Sequence, residues 1–257
     1  MGRKNERRRA GMHTVSLTKR SSSLCLTLGI LLMPATAWAG RPLDTEDAAT
    51  AEPHTCQIEV WRDHQASARS SQVAVACGVA QGLELGWGQS RAWDHVLSAN
   101  ALSAQGLAIK WVPTAWRLAL PDALWGGEVQ AGVKAEVTRS PVEGLSAVAV
   151  QSMASWRIDA DWSVHANLGV QRLSSLSSTA AQVRLAAVWA PHPRALLFAE
   201  AAVSQHPQWF GGRTLALGGR WWVLSDQLGL DLKASQEAGV VATRWSLGLG
   251  WYGWSGW

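Results

Sequence analysis

Apolar and polar side chains alternate along most of the chain from Cys56 onward. The clearest run covers residues 156–171, where even positions are apolar and odd positions are polar or glycine. A second run covers residues 128–138, with Val and Ala at odd positions and charges of both signs at even ones. Because successive side chains of a β-strand point to opposite faces, this period predicts strands with one apolar and one polar face.

The same test applied along the chain predicts an all-β fold of about twelve antiparallel strands. The predicted strands are 56–63, 71–79, 82–90, 105–112, 125–138, 144–153, 156–171, 179–190, 194–204, 212–223, 226–235 and 242–254. Connections at 80–81, 191–193 and 224–225 are short, whereas those at 91–104 and 205–211 are longer. Alternating short and long connections are typical of an up-and-down barrel with short periplasmic turns. The connection 113–124 departs from it, since it should be short and is long.

Alternation alone does not separate a soluble sheet, which buries its apolar face, from a membrane barrel, which turns that face to lipid. The placement of the tryptophans favours the barrel; the chain has 17 Trp but only one Tyr and two Phe. Those predicted to lie at periplasmic strand ends, on the apolar face, are Trp111, Trp125, Trp156, Trp189, Trp221 and Trp251. They predict an interfacial aromatic girdle on a transmembrane β-barrel.

The N-terminus has the composition of a secretory signal. Basic residues precede a short apolar run at 24–33, and small residues flank Trp38, so cleavage is predicted after Ala39. Residues 40–55 are acidic and have no periodicity; we expect an extended segment at the periplasmic mouth of the barrel or a disordered tail. The expected organisation is a signal peptide at 1–39, an extended segment at 40–55 and an outer-membrane barrel at 56–257.

Removal of the signal takes away seven basic residues and one acidic residue and changes the net charge from +4 to −2. No basic excess then remains for a nucleic-acid partner. Two cysteines remain, Cys56 and Cys77, and export to an oxidising compartment predicts a disulfide between them. Both lie on one face at the open end of the first predicted hairpin, within bonding reach. No metal site or cofactor is predicted, since two cysteines without a nearby histidine pair make no zinc site.

If the apolar face meets lipid, the polar face lines the lumen. The predicted lumen-lining residues are Glu84, Lys110, Glu128, Lys134, Glu136, Asp159, Asp161, His165, Arg184, Glu200, Arg220, Asp231, Lys233 and Arg244, and Glu59 shares their face. A strongly selective ion pore usually carries a ring of one sign. The mixed signs therefore predict ion-paired packing across a narrow or partly plugged interior, with weak selectivity.

Ser163, His165 and Asp161 share this polar face and are the residue types of a Ser–His–acid hydrolase. Residues two apart on a strand lie roughly 6.5 to 7 Å apart, which predicts no direct hydrogen bond between Ser163 and His165. A lipid hydrolase or deacylase that uses His165 and a serine from another strand is one alternative function. A soluble periplasmic barrel that binds small molecules is another. The leading interpretation assigns no catalytic residue.

Several short motifs carry a family resemblance. They are GRPLDTEDA at 40–48, Glu59 after Cys56, ACGV at 76–79, GLELG at 82–86 and LAIKW at 107–111. In these the chain resembles proteobacterial outer-membrane proteins grouped with transporters of the MetA-pathway phenol-degradation family. The resemblance implies a barrel fold and the passage of small molecules, and it brings no catalytic residues.

The last predicted strand alternates Trp245, Leu247, Leu249 and Trp251 with polar or small residues, and the chain ends on Trp257. This end resembles the assembly signal of bacterial outer-membrane barrels and implies the barrel-assembly machinery as a partner. Outer-membrane lipid and lipopolysaccharide are the other expected partners. The sequence therefore predicts a passive channel or uptake protein for small molecules in the bacterial outer membrane, of unspecified oligomeric state.

Overall fold

The computed structural model describes residues 43–66, 68–94, 102–122, 126–140, 144–173, 178–205 and 212–255. The strands are β1 (Cys56–Gln65), β2 (Ala68–Ala80), β3 (Leu83–Asp94), β4 (Leu102–Trp111), β5 (Arg117–Ala119), β6 (Glu128–Ser140), β7 (Gly144–Arg157), β8 (Trp162–Leu173), β9 (Ser178–His192), β10 (Ala195–Ser204), β11 (Arg213–Leu224), β12 (Leu228–Glu237) and β13 (Arg244–Trp254). All pairings between them are antiparallel, and the pairing of β1 with β13 closes the sheet into a barrel. The predicted twelve-stranded up-and-down barrel is confirmed, with β5 as a short additional strand.

The start of β1 and the end of β13 lie at one end of the barrel, which we call the terminal end; the opposite end is the loop end. Two-residue turns join β2 to β3 and β9 to β10 at the terminal end. The long connection noted in the sequence also lies there. It contains a 3-10 turn, Thr114–Trp116, followed by β5, which pairs with the start of β6. Its length is thus taken up by structure against the barrel rim.

The prediction of one continuous strand at 156–171 is wrong, because the chain turns at residues 158–161. Trp156 lies in β7 and Trp162 begins β8. In this turn the Asp159 carboxylate accepts the backbone N–H groups of Asp161 at 2.8 Å and Trp162 at 2.7 Å. Asp159 and Asp161 are exposed in the turn and do not line the lumen, contrary to the prediction. The apolar and polar alternation continues through the turn and so conceals it.

The apolar face of the strands points outward. Leu107, Leu168 and Leu215 expose 61%, 60% and 68% of their surface, whereas Lys110 and Lys134 on the opposite face expose 5% each. A soluble barrel would have the reverse arrangement, so the faces have the polarity of a transmembrane barrel. No helix among the described residues is long and apolar enough to cross a membrane.

Tryptophans gather at the terminal end. Of the predicted girdle, Trp111, Trp189, Trp221 and Trp251 face outward and expose 45%, 40%, 52% and 50% of their surface. Trp156 is half-buried, and its indole N–H donates to the Gly126 carbonyl at 3.1 Å. Trp125 lies outside the described residues. The sequence analysis missed Trp162, whose ring stacks on Trp189 with centroids 5.7 Å apart, because it placed Trp162 within a continuous strand.

The seam between the first and last strands carries side-chain bonds as well as backbone pairing. Asp63 lies opposite Ser246, whose hydroxyl donates to Asp63 Oδ1 at 2.5 Å. The Tyr252 hydroxyl donates to Glu59 Oε1, also at 2.5 Å. On the other side of β1, Cys56 lies opposite Cys77 of β2, and the predicted disulfide between them is confirmed.

Candidate functional site

Residues 43–55, which we call the plug segment, cross the interior of the barrel. Its C-terminal part runs against the end of β2, where the N–H of His54 donates to the Gly78 carbonyl at 2.8 Å and the Gly78 N–H donates to the Thr55 carbonyl at 2.9 Å. A Cβ on Gly78 would lie 2.3 Å from the Ala51 carbonyl oxygen. Only glycine therefore allows this close approach of the two backbones.

The other end of the plug segment reaches the opposite wall. Leu43 packs in a small apolar cluster with Ala186 of β9 and Phe198 of β10. Between the two ends, Ala48 packs against Val112 and Met153. The plug segment therefore crosses the lumen from the β2 side to the β9 and β10 side.

Glu46 is the most enclosed charged residue of the plug segment, with 1% of its surface exposed. Its Oε1 lies 2.5 Å from Lys134 Nζ and its Oε2 lies 3.1 Å from Lys110 Nζ. Each carboxylate oxygen thus pairs with a different lysine of the wall. Buried charges are tolerated when they are paired in this way.

The neighbouring acids of the plug segment also pair with wall cations. Asp44 Oδ2 lies 2.7 Å from Lys233 Nζ, and the Asp44 carbonyl accepts a hydrogen bond from Arg184 Nη1 at 2.5 Å. Asp47 Oδ1 lies 3.2 Å from Lys110 Nζ. Burial acts to raise the pKa of Asp47, but Lys110, His165 and the backbone N–H of Ala49 together outweigh it and hold the pKa below its usual value.

Wall side chains also bond the backbone of the plug segment. Asn167 accepts the Glu46 N–H at 2.7 Å and donates to the Glu46 carbonyl at 2.8 Å. The N–H groups of Ala48 and Ala51 donate to Ser155 Oγ at 2.6 Å and to Glu84 Oε2 at 2.8 Å, and the Thr45 N–H donates to Glu200. An unpaired buried backbone N–H or carbonyl group raises the free energy of the folded state. These contacts remove that cost and so stabilise the plug segment inside the barrel.

A second polar cluster, which we call the wall network, lies beside the seam. Arg220 and Asp231 form a two-point ion pair, with Nε–Oδ1 and Nη2–Oδ2 distances of 2.7 and 2.9 Å. The Arg220 guanidinium also lies 4.9 Å from the Trp222 ring centroid and 4.7 Å from that of Tyr252. Tyr252 bonds Glu59 and completes the network. All its members belong to strands, and none to the plug segment.

His165 lies between two serines. Its Nδ1 is 2.7 Å from Ser155 Oγ and its Nε2 is 3.1 Å from Ser163 Oγ, so the prediction of no direct bond from Ser163 to His165 is wrong. The side chains of Ser163 and His165, which share one face of β8, lean toward each other. Ser155 Oγ already accepts the Ala48 N–H, and Asp47 bonds Lys110 rather than the histidine. This cluster faces the lumen and anchors the plug segment, an arrangement that does not favour a lipid hydrolase.

The remaining residues predicted to line the lumen occupy inward-facing strand positions. They are Glu84, Lys110, Glu128, Lys134, Glu136, His165, Arg184, Glu200, Arg220, Asp231, Lys233 and Arg244. Glu128 is at the terminal rim, where it pairs with Arg117 at 3.3 Å, and Arg244 is partly exposed at the loop end. The structure therefore brings most of the predicted charges together, around the plug segment or in the wall network.

A cavity remains in the lumen beside β1, β2, β3, β4 and β6. It is lined by Gln57, Glu59, Ala74, Val75, Ala76, Glu84, Gly86, Ala108, Lys110 and Lys134. Acids and both of the lysines that hold Glu46 thus border the space that the plug segment leaves open. The sequence analysis did not identify Ser155 and Asn167 as site residues. Asn167 occupies a polar position of an alternating run, whereas Ser155 lies between the predicted strands 144–153 and 156–171.

These features define the class as a transmembrane β-barrel with an internal plug. No family model and no curated protein matches the chain. Among solved structures, a KdgM porin in complex with disordered oligogalacturonate is similar at 8% identity and a TM-score of 0.55, covering 76% of this chain and 98% of that one. A NanC porin is similar at 6% identity and a TM-score of 0.57, with the same coverage.

A third solved structure, an outer-membrane channel from Pseudomonas putida F1, is similar at 10% identity and a TM-score of 0.51, covering 79% of this chain and 96% of that one. At such low identities, the likeness establishes a shared fold. The chain therefore has the fold of outer-membrane β-barrel porins and channels.

Proposed function

We propose that the chain is a passive outer-membrane channel for small molecules, narrowed by its plug segment. One observation carries this proposal: a barrel with an apolar exterior encloses a segment held mainly by ion pairs and hydrogen bonds. Such contacts exchange readily with water, unlike a packed apolar core. A charged, partly filled lumen suits the passage of small polar solutes.

The family resemblance supports the same proposal. The motifs that carry it include Glu46 and Asp47 of the plug segment, Gly78 at its contact with β2, and the wall residues Glu84 and Lys110. The likeness to transporters of the MetA-pathway phenol-degradation family thus falls on the plug segment and its immediate contacts. We propose membership of that family on this basis.

The short turns and the chain ends favour a periplasmic position for the terminal end. Export of the chain with loss of residues 1–39, and insertion by the barrel-assembly machinery through β13, belong to the same proposal. The loop end then faces the outer leaflet and the cell exterior.

Arginines at the loop end support lipopolysaccharide as a partner. The outward-facing ones are Arg62, Arg69, Arg91, Arg139, Arg172 and Arg213. Among the strand residues whose side chains the structure describes, no acid faces outward. Arg62 and Arg91 both lie directly opposite Ser71, on either side of it. Guanidinium groups bind phosphate by two parallel hydrogen bonds, and lipopolysaccharide carries phosphates at this level of the membrane.

Lipopolysaccharide retained by the purified protein tests this partner. Arg62→Gln with Arg91→Gln should lower retention several-fold, whereas Arg172→Gln alone should lower it less. Dephosphorylated lipopolysaccharide should bind the unmodified protein as weakly as the intact lipid binds the double variant. Equal retention by all of these would overturn the assignment.

Single-channel recording in planar bilayers tests the channel itself. The unmodified protein should carry small currents, and the full-length variant Asp44→Asn, Glu46→Gln, Asp47→Asn should carry several-fold larger ones, because the plug segment loses its ion pairs. Asp226→Asn, in an exposed turn, is the matched control. A heat-sensitive shift in gel mobility establishes that each variant is folded. Folded protein that carries no current with or without the three acids would show a plugged scaffold instead.

A further inference from the structure

The two lysines that hold Glu46 are direct neighbours in the wall. Lys110 of β4 and Lys134 of β6 are opposite each other in the pairing of these strands, and both side chains are almost fully buried. Like charges directly opposite each other on adjacent strands destabilise a sheet. A carboxylate that bridges the two ammonium groups removes this cost, and Glu46 does so with one oxygen on each lysine.

Wall acids do not take over this role. Glu136 lies 3.6 Å from Lys134, farther than Glu46 does, and Glu84 accepts a backbone N–H from the plug segment. The wall therefore presents a pair of ammonium groups whose best partner is a carboxylate from elsewhere. In this structure that carboxylate is supplied by the chain itself.

The groups around the lysines extend this site. Asn167 offers both an acceptor and a donor to polar atoms next to the carboxylate, as its two bonds to Glu46 demonstrate. Both lysines also line the cavity beside the plug segment, so the space that the Glu46 side chain would vacate adjoins it. A mobile solute with a carboxylate could therefore meet the same groups that Glu46 meets.

We propose that Lys110 and Lys134 form a binding site for small carboxylates on the solute path, and that Glu46 occupies this site as an internal ligand. The inference rests on the proposed channel function and names its solute class. When the plug segment withdraws, an incoming carboxylate takes the place of the Glu46 side chain. The binding step is an exchange of ion pairs and involves no covalent change.

Propionate is the appropriate probe, because it reproduces the glutamate side chain, and propionamide is its uncharged match. In the full-length variant Glu46→Ala, millimolar propionate should block the single-channel current and propionamide should not. Adding Lys110→Met and Lys134→Met should raise the half-blocking concentration about tenfold or more, the loss expected for charge-assisted hydrogen bonds. Adding Arg194→Gln, which removes a cation from the exposed turn between β9 and β10, should leave it unchanged.

Thermal unfolding of the same variants in detergent separates this inference from the channel proposal. Propionate should raise the unfolding temperature of Glu46→Ala, but not that of the variant without both lysines, whether or not any current flows. If the double lysine variant does not fold, Lys134→Gln alone provides the comparison. Equal effects of propionate and propionamide, or block and stabilisation that survive loss of the lysines, would overturn the carboxylate site. Stabilisation without current would overturn the channel and leave the binding site standing.

Discussion

The lumen contains two polar networks that use the same chemistry and differ in where their acids are attached. In the wall network, Arg220 pairs with Asp231, and both belong to strands. Around the plug segment, Glu46 pairs with Lys110 and Lys134, and only the lysines belong to strands. An acid on a strand ties the barrel wall together, whereas an acid on the plug segment ties a separable element to the wall. The first network should therefore govern stability and the second should govern passage.

The largest expected effect is loss of stability when the wall network is broken. Arg220→Met leaves Asp231 and Glu59 buried without their guanidinium partner, which should lower the free energy of unfolding by ~3 to 5 kcal/mol. Urea titration of the heat-sensitive gel shift measures this loss. Arg172→Met, at an exposed outward position, is the control and should change little. Unchanged unfolding of Arg220→Met would show that the wall network does not stabilise the barrel.

The disulfide should have the next largest effect. It closes a loop of 21 residues between β1 and β2, and Cys56→Ser with Cys77→Ser should cost ~3 kcal/mol on the chain-entropy model. The current should stay the same, since the backbone bonds of Gly78 to the plug segment remain. Treatment of the unmodified protein with reductant should reproduce the loss of stability. An altered current in the folded double variant would instead tie the disulfide to the plug segment.

A smaller change in stability, but a clear change in current, is expected at the contact of the plug segment with β2. Gly78→Ala places a Cβ 2.3 Å from the Ala51 carbonyl oxygen, so the plug segment must shift. We expect a several-fold rise in single-channel current with a stability loss of ~1 kcal/mol or less. Gly86→Ala is the control, because its Cβ meets Ala108 at an ordinary 3.6 Å. A large loss of stability in Gly78→Ala would erase the distinction between the two networks.

The smallest effect concerns pH. The depressed pKa of Asp47 means that its charge stabilises the seated plug segment above ~pH 3.9, the usual carboxyl value, and that this contribution is lost as the pH falls through the depressed pKa. The current of the unmodified protein should therefore rise at acidic pH. Asp47→Asn should start from a higher current and respond less. Identical pH profiles would remove Asp47 from the attachment of the plug segment.

Period-two alternation predicted most of the fold, because burial and lipid exposure impose opposite demands on successive side chains. It failed at Asp159, because the turn residues there continue the apolar and polar alternation of the strands on either side. It also predicted which charges point inward, including Lys110 and Lys134. It could not pair them, since pairing depends on the register between neighbouring strands and, for Lys110 and Lys134, on the position of Glu46 in the plug segment.

The apolar and polar pattern could not predict the position of the plug segment. Residues 43–55 have no periodicity, and their acids suit a solvated tail as well as a buried one. What encloses them is a complementary surface gathered from many strands, including Asn167 of β8 and Glu200 of β10. Such a surface exists only after the barrel has formed. Their content of three closely spaced acids, set against the cations of the inward face, was the one available signal.

The side-chain bonds across the seam have a consequence for how the barrel selects its register. Sliding β13 by two residues along β1 would keep every side chain on its own face and restore the backbone ladder, so neither criterion rejects the error. The side-chain bonds across the seam do reject it: Ser246 would no longer face Asp63, and Tyr252 would no longer reach Glu59. The contacts of these two buried carboxylates thus select a single register between the first and last strands.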